Sequence, residues 1–418
     1  MATQFRVSPA IINPLDVSRA ELWSEDCWQE PMRQLRAEAP VYFCPESKFG
    51  PYWSVSTYKP IQHIEALPKI FSSSWEYGGI VVAGQRPEDL PEGSIPLPMF
   101  IAMDPPQHTA QRRTVAPAFG PSETERMRAD TLARTAAVID SLPIGTPFDW
   151  VEQLSIELTT QMLAILFDFP WEDRHKLTYW SDQLGDIEGG DTLEERQKRL
   201  AIAFEMGGAF KQLWDRKALN PGQHDLISVM LQSDAMKHMS ENEFMGNLIL
   251  LIVGGNDTTR NSMSAYAYGL SQFPEERAKL EADHSPELAI NAMHEILRWQ
   301  TPLAHMRRTA TEDALVEGQL IRKGDNVVLW YASANRDESV FPEGDRIIVD
   351  RDNARRHLAF GYGIHRCVGA RVAELQLTAL ISEMQRRRLR VNVLGEPERV
   401  PASFVHGYKK MMVQLERY

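Results

Sequence analysis

Between residues 104 and 300 the apolar positions recur at helical spacing with few breaks, and strand-like alternation is confined to the two ends of the chain. Residues 1–20 read as a flexible N-terminal arm. Trp23, Trp28, Met32 and Leu35 then share one side of a helix expected over 21–37. Val41-Tyr42-Phe43 and Tyr52–Val55 read as two strands turning at Gly50-Pro51, followed by a short helix over 57–67. Asp104-Pro105-Pro106 reads as a helix start, with Asp as cap and Pro in the first turn. Further helices are expected near 122–141, 152–167, 171–185, 193–217, 224–231, 241–272, 275–282 and 286–299. Strand signals return at Leu315-Val316 and Val327–Trp330, short turns fill 332–356, and a last helix runs from behind Cys367 to Arg386 before closing strands.

One stretch departs from this regularity. Ser72–Met103 is rich in Gly and Pro, yet it carries Ile80, Val81, Val82, Ile95, Leu97, Met99 and Phe100. That is too apolar for a solvated linker, so the segment is expected to line a pocket. No repeat, low-complexity tract or clear boundary divides the chain. The pattern predicts a mainly α protein with a minor β region, a single domain over 1–418.

The composition, 43% hydrophobic and 24% charged, is that of an ordinary globular protein. A net charge of −12 argues against nucleic-acid binding. Three cysteines without a CxxC pair exclude a disulfide framework and fit a reducing compartment. No signal-peptide core or bilayer-length apolar run is present, so a cytoplasmic protein with no membrane anchor is expected.

Candidate chemistry concentrates at one cysteine. His357 to Gly369 reads HLAFGYGIHRCVG, and a helical pattern follows at once. Cys367 thus sits in a glycine-rich loop feeding a helix N-terminus, a setting expected to lower its pKa. Such a thiolate can attack a substrate, bind a metal or ligate haem iron. A buried structural cysteine would leave Gly361, Gly363 and Gly369 without a purpose. A second feature is Val253-Gly254-Gly255-Asn256-Asp257-Thr258-Thr259 within a helical pattern. Thr258 can bond back to the Gly254 carbonyl, which places an acid and an alcohol beside a local opening of the helix. The alternative is a helix that ends at the glycines.

Phe360-x-x-Gly363-x-x-x-Cys367-x-Gly369 resembles the haem-ligand signature of the cytochrome P450 superfamily, and Asp257-Thr258 resembles its acid–alcohol pair. The resemblance spans Asp104 to Gly369. It implies a triangular-prism fold with a long central helix over the haem. It also implies heme b with Cys367 as iron ligand, O2 as cosubstrate, and Asp257 and Thr258 in proton delivery. Phe360, Gly363 and Gly369 would form the cysteine cradle, and His108, Arg112, Arg308, His357 and His365 would meet the haem propionates. Glu295 and Arg298 match the family's buried Glu-x-x-Arg pair, with Arg346 as its completing arginine. Electrons would come from NAD(P)H through a ferredoxin reductase and a 2Fe–2S ferredoxin. An acidic ferredoxin would suit a basic patch of Arg112, Arg113, Arg355, Arg356 and Arg366.

Within the superfamily, residues 253–262 and Pro302–Met306 look most like the soluble bacterial alkane hydroxylases, which implies terminal hydroxylation of medium-chain alkanes or fatty acids. A terpene hydroxylase or epoxidase is the neighbouring alternative. Leu250, Val253, Gly254, Leu303, Met306, Leu97, Met99, Phe100, Phe404 and Val405 are the expected substrate contacts. A peroxygenase conflicts with the Asp257-Thr258 pair, and a haem-based sensor lacks an output domain. A cysteine hydrolase lacks an acid to orient His365 as its base.

Overall fold

The computed structural model describes residues 13–418 except 187, 191, 221 and 223. Residues 1–12 of the expected arm lie outside the described residues. Residues 13–20 do not form a flexible arm but are packed: Val17 is buried and its carbonyl accepts from Trp23 Nε1 at 2.9 Å, while Asp16 Oδ1 accepts from Tyr52 Oη at 3.0 Å. The helix expected over 21–37 is two helices, Ala20–Ser24 and Gln29–Glu38. Asp26 turns the chain between them with φ 53°, and the turn lets Trp23 stack on Trp28 at 4.8 Å.

The centre of the molecule is the helix Glu241–Gln272, capped by Ser240 Oγ, which accepts from the Glu243 N–H. It runs through Gly254-Gly255 without ending. Gly255 has a packing reason, because a Cβ there would lie 2.9 Å from Leu163 Cδ2 of the helix Glu157–Phe167. Gly254 faces open space, with nothing within 4 Å of its would-be Cβ. One apolar core takes in the C-terminal half of this helix and includes Trp150, Met263, Leu297, Leu380 and Val413. A second takes in its N-terminal half and packs Phe167, Trp180, Phe210, Leu248 and Ile252. The two cores hold the helix on either side of its glycine pair along the axis.

A five-stranded sheet runs in the order Val41–Cys44, Tyr52–Val55, Asn326–Leu329, Met306–Ala310, Phe71–Ser72. Trp53 pairs with Val327 in parallel, and Arg308 pairs with Val327 antiparallel. The expected helix start at Asp104 is displaced: the helix is Gln107–Val115, and Asp104 instead accepts from the Ser73 N–H at 3.0 Å and from the Ser72 hydroxyl. Its carboxylate thereby ties the start of the irregular segment to its end. Ser72–Met103 is irregular as expected, with single helical turns at Trp75–Tyr77, Pro87–Asp89 and Phe100–Ala102. Among the described residues no helix is long and apolar enough to cross a membrane.

Glu295 and Arg298 are fully buried and joined by two bonds of 2.7 and 2.8 Å. The arginine that completes the cluster is Arg351, whose Nε donates to Glu295 Oε1 at 2.9 Å. Arg346 is not that residue. Its carbonyl points inward and accepts from Arg298 Nη2, so its side chain points outward, 47% exposed, to Glu275. Arg298 also donates to the carbonyls of Asn335 and Gly344, so a buried cation holds the turns that precede the cysteine loop.

Candidate active site

The cysteine loop is anchored on both sides of its sulfur. The Cys367 N–H donates to the Phe360 carbonyl at 2.7 Å, and the helix Ala370–Arg386 starts just beyond Gly369. Gly363 is required twice, by its φ of 64° and because a Cβ would stand 2.5 Å from the Glu65 carbonyl oxygen. The sulfur faces a large cavity. The expected lowering of its pKa is not what the structure shows. Burial pushes the Cys367 thiol up, and it outweighs the Gly369 N–H, Arg112 and Arg366, which pull down. A thiolate here therefore calls for a further positive charge at the sulfur, as a bound metal would provide.

His108 and His365 line the same cavity as this cysteine and pack ring against ring, tilted at 46° with centroids 4.2 Å apart. All four of their ring nitrogens are buried without a partner. Burial pushes His108 down to about 4 and His365 well below its ordinary value, so both are neutral rings with N–H groups to give. Arg112 and Arg308 line the same end of the cavity. Arg308 is aimed by Glu65, whose Oε1 accepts from Arg308 Nη2 at 2.8 Å and from Tyr331 Oη at 2.5 Å. Glu65 Oε2 accepts from the Tyr362 N–H at 2.7 Å, so one buried carboxylate ties this cation to the cysteine loop. His357 does not belong to the group. Its Nε2 meets His294 Nδ1 at 3.3 Å, its Nδ1 accepts from the Ala359 N–H, and it does not line the cavity.

On the opposite wall, Thr258 Oγ1 donates to the Gly254 carbonyl at 2.9 Å. Asp257 is buried next to it. Its Oδ1 accepts from Ser181 Oγ at 3.0 Å and pairs with Arg260 Nη2 at 3.0 Å. Arg260 also reaches Asp182, 42% exposed, at 2.6 Å. Burial raises the Asp257 pKa, and Arg260 opposes the shift. Asn256 bridges outward from the acid: its Nδ2 donates to Asp257 Oδ1 at 3.3 Å, and its Oδ1 accepts from Thr159 Oγ1 at 2.6 Å.

The cavity between these walls holds about 520 Å³. All ten residues expected to contact a substrate line it: Leu97, Met99, Phe100, Leu250, Val253, Gly254, Leu303, Met306, Phe404 and Val405. Sequence reasoning missed Leu184 and Leu226, which also line it and whose helical spacing reads simply as core. It also missed Glu65 and Arg307. Arg307 is buried with no carboxylate partner among the described residues, and its guanidinium donates to the carbonyls of Tyr77, Val81 and Gly84. Its own N–H donates to the Ile80 carbonyl at 2.7 Å. The loop thus wraps this one cation, and burial pushes the Arg307 pKa down to about 10. The signal for Glu65 was one acid at the end of an apolar helix face, one residue after Ile64 and four after Ile61.

A cysteine sulfur open to a cavity, unpartnered imidazoles beside it and an acid–alcohol pair opposite define a haem-thiolate site. Comparison with known proteins agrees. The family model Cytochrome P450 matches residues 192–414. A solved structure of CYP153D17 from Sphingomonas sp. PAMC 26605 superposes with a TM-score of 0.91 at 62% identity, over 97% of this chain and all of that one. Linalool 8-monooxygenase of Pseudomonas putida is 34% identical over 96% of this chain and 98% of its own. A methyl-branched lipid omega-hydroxylase of Mycobacterium bovis is 30% identical over 96% and 95%. The chain belongs to the cytochrome P450 family and is a monooxygenase, which uses haem, O2 and electrons from redox partners.

Proposed function

We propose that this enzyme hydroxylates the terminal carbon of medium-chain alkanes or fatty acids, with heme b held by Cys367. The orphaned nitrogens of His108 and His365 support the cofactor's place, because buried donors without acceptors are costly and two propionates would satisfy them. Arg112 and Arg308 add positive charge there. Bound haem would supply the activation of O2. The chain's own residues do the rest: the apolar walls exclude water and orient the substrate, and Asp257 and Thr258 hold and pass protons at the Gly254 face.

The observation that carries the substrate reading is the character of the cavity. Its cations, Arg112 and Arg308, both stand at the cysteine end, and the ten substrate-facing residues carry no charge. An alkyl chain would bind by desolvation at about 0.8 kcal/mol per buried CH₂. With no cation among those ten for a carboxylate, alkanes fit better than fatty acids. Primary C–H bonds are the stronger ones, so attack at the chain end has to be enforced by pose. The relatives named for position 8 of linalool and the omega position of methyl-branched lipids support oxidation at a defined carbon of a chain. The linalool relative also supports a second reading, a terpene hydroxylase or epoxidase.

Electrons would reach the site from NAD(P)H through a ferredoxin reductase and a 2Fe–2S ferredoxin. Arg113, Arg355, Arg356 and Arg366 are exposed, and none has a carboxylate within ion-pair distance among the described residues. Free Cys27 and Cys44 support a cytoplasmic setting. Difference spectra with n-octane, octanoate and linalool, followed by product analysis, test the reading. A spectral shift with linalool alone would decide for the terpene.

A further inference from the structure

The segment 303–308, which leads into the strand Met306–Ala310, uses its residues in two ways. Leu303, Met306 and Arg308 line the cavity; His305 and Arg307 do not. His305 is fully buried, with its ring against Trp330 at 4.7 Å and Phe404 at 5.3 Å. Its Nδ1 lies 3.0 Å from the Ser403 carbonyl oxygen, which can only accept, so Nδ1 carries the proton. Its Nε2 accepts from the Val82 N–H at 3.1 Å. A single neutral tautomer thus joins two irregular segments. Each segment supplies cavity wall in the neighbouring residues: Ile80 and Val81 on one side, Phe404 and Val405 on the other.

The far side of the second segment is held as well. Glu188, a buried carboxylate with no use in the chemistry above, accepts from the Ser403 N–H at 2.9 Å and the Ser403 hydroxyl at 2.7 Å. Val82, His305, Ser403 and Glu188 form one line of hydrogen bonds. The spacer in that line between the two walls is an imidazole, which is rigid and makes one bond at each end, beside the backbone bonds from the Ala304 N–H to the Phe404 carbonyl and from the Arg307 N–H to the Ile80 carbonyl.

We infer that His305 is a positioning residue that sets the separation of the Ile80–Val81 and Phe404–Val405 walls, and through it decides which carbon of a bound chain meets the reaction centre. It never touches the substrate. The inference builds on the proposed oxidation of an apolar chain, because only a chain with many similar C–H bonds reports a change of wall spacing as a change of position. A displacement on the scale of an ångström is enough to redirect such a reaction.

The test compares wild type with His305→Phe and His305→Gln, each as the haem-loaded enzyme with ferredoxin and reductase. It reads the ratio of positional alcohols from n-octane, together with the thermal midpoint. His305→Phe keeps the edge-to-face ring contacts and drops both hydrogen bonds, so the ratio is expected to move about threefold or more. His305→Gln, which can still donate and accept, is expected to lie nearer wild type. A folded His305→Phe enzyme with an unchanged ratio overturns the inference, since a merely structural role would move the midpoint alone. If that variant does not accumulate, Glu188→Ala releases the Ser403 turn from its other side, and an unchanged ratio there overturns it equally. The wild-type ratio separately tests the terminal reading, so the two failures are distinguishable. If n-octane gives no product, the comparison is made on whichever of octanoate or linalool does.

Discussion

Thr258 Oγ1 and the Gly254 carbonyl oxygen are joined at 2.9 Å, four residues apart on an unbroken helix. The bond engages the hydroxyl proton and leaves the oxygen's lone pairs to accept, in a residue that lines the cavity beside Gly254. A group placed this way can accept a proton and return one. Thr258→Ala is therefore expected to consume reductant at a similar rate while product per electron pair falls about tenfold and peroxide rises. Thr258→Ser should restore most of the coupling. The ratio of product to NAD(P)H oxidised is the measurement, and unchanged coupling in the alanine variant would remove Thr258 from the proton path.

Asp257 sits where a carboxylate would be costly, and Ser181 and Arg260 hold it in place. Asp257→Asn keeps the size and loses the transferable proton. We expect turnover to drop by about 100-fold or more, with a larger solvent isotope effect and unchanged substrate binding. A normal isotope effect in a slow variant would point to misfolding of the Arg260 cluster instead.

Two arginines near the cysteine loop should differ sharply. Arg351→Ala leaves Glu295 short of a buried partner and is expected to cost about 3–5 kcal/mol. Arg346→Ala removes a largely exposed pair with Glu275 and should cost under about 1 kcal/mol. Urea unfolding of the two variants side by side tests this, and equal costs would contradict the assignment of Arg351.

Burial raises the Glu188 pKa above its ordinary value, against the two Ser403 donors and the neighbouring Phe404 N–H that favour the anion. The folded state thus holds this proton more tightly than the unfolded chain. Its contribution to stability is complete below the ordinary glutamate pKa and is lost as pH rises through the raised one. Glu188→Gln should therefore gain on wild type as pH rises from about 4 to about 8. Thermal midpoints at several pH values will show it; a constant difference would mean that the pKa is the same folded and unfolded.

The unpaired arginines of the cysteine side suit an anionic electron donor. Arg113→Glu or Arg366→Glu should raise the KM for ferredoxin by about 3–10-fold at low salt, less at high salt, and leave substrate difference spectra alone. A KM independent of these substitutions would move the docking face elsewhere.

The helical body was legible because long apolar periodicities depend little on distant partners. The helix 241–272 was recovered to the residue, and its glycines did not break it because packing of the halves before and after them outweighs their propensity. The break at Asp26 was not legible, since its positive φ is held by tertiary stacking of Trp23 on Trp28. The ten cavity residues were readable from apolar character next to the motifs. The partners of charged groups were not. Arg346 and Arg351 are five residues apart in a turn region, and only the direction of one carbonyl decides which side chain faces in. His357 failed for a similar reason: its partner, His294, is 63 residues away. The Cys367 pKa was misjudged because sequence displays the favourable donors and hides the burial.

The loop around Arg307 has a consequence that is plainest in host–guest terms. Tyr77, Val81 and Gly84 present carbonyl oxygens as a crown ether presents its ring oxygens, and the guest is a guanidinium covalently attached to the cavity strand. Gly78 leaves the host open enough, since a Cβ there would meet Arg307 Nη2 at 2.6 Å. The loop has turns of its own, and the guest is what draws these three carbonyls to one point. A loop grafted at this position is expected to keep its fold only when a matching arginine is grafted with it, so this part of the cavity wall behaves as one unit made of two distant segments.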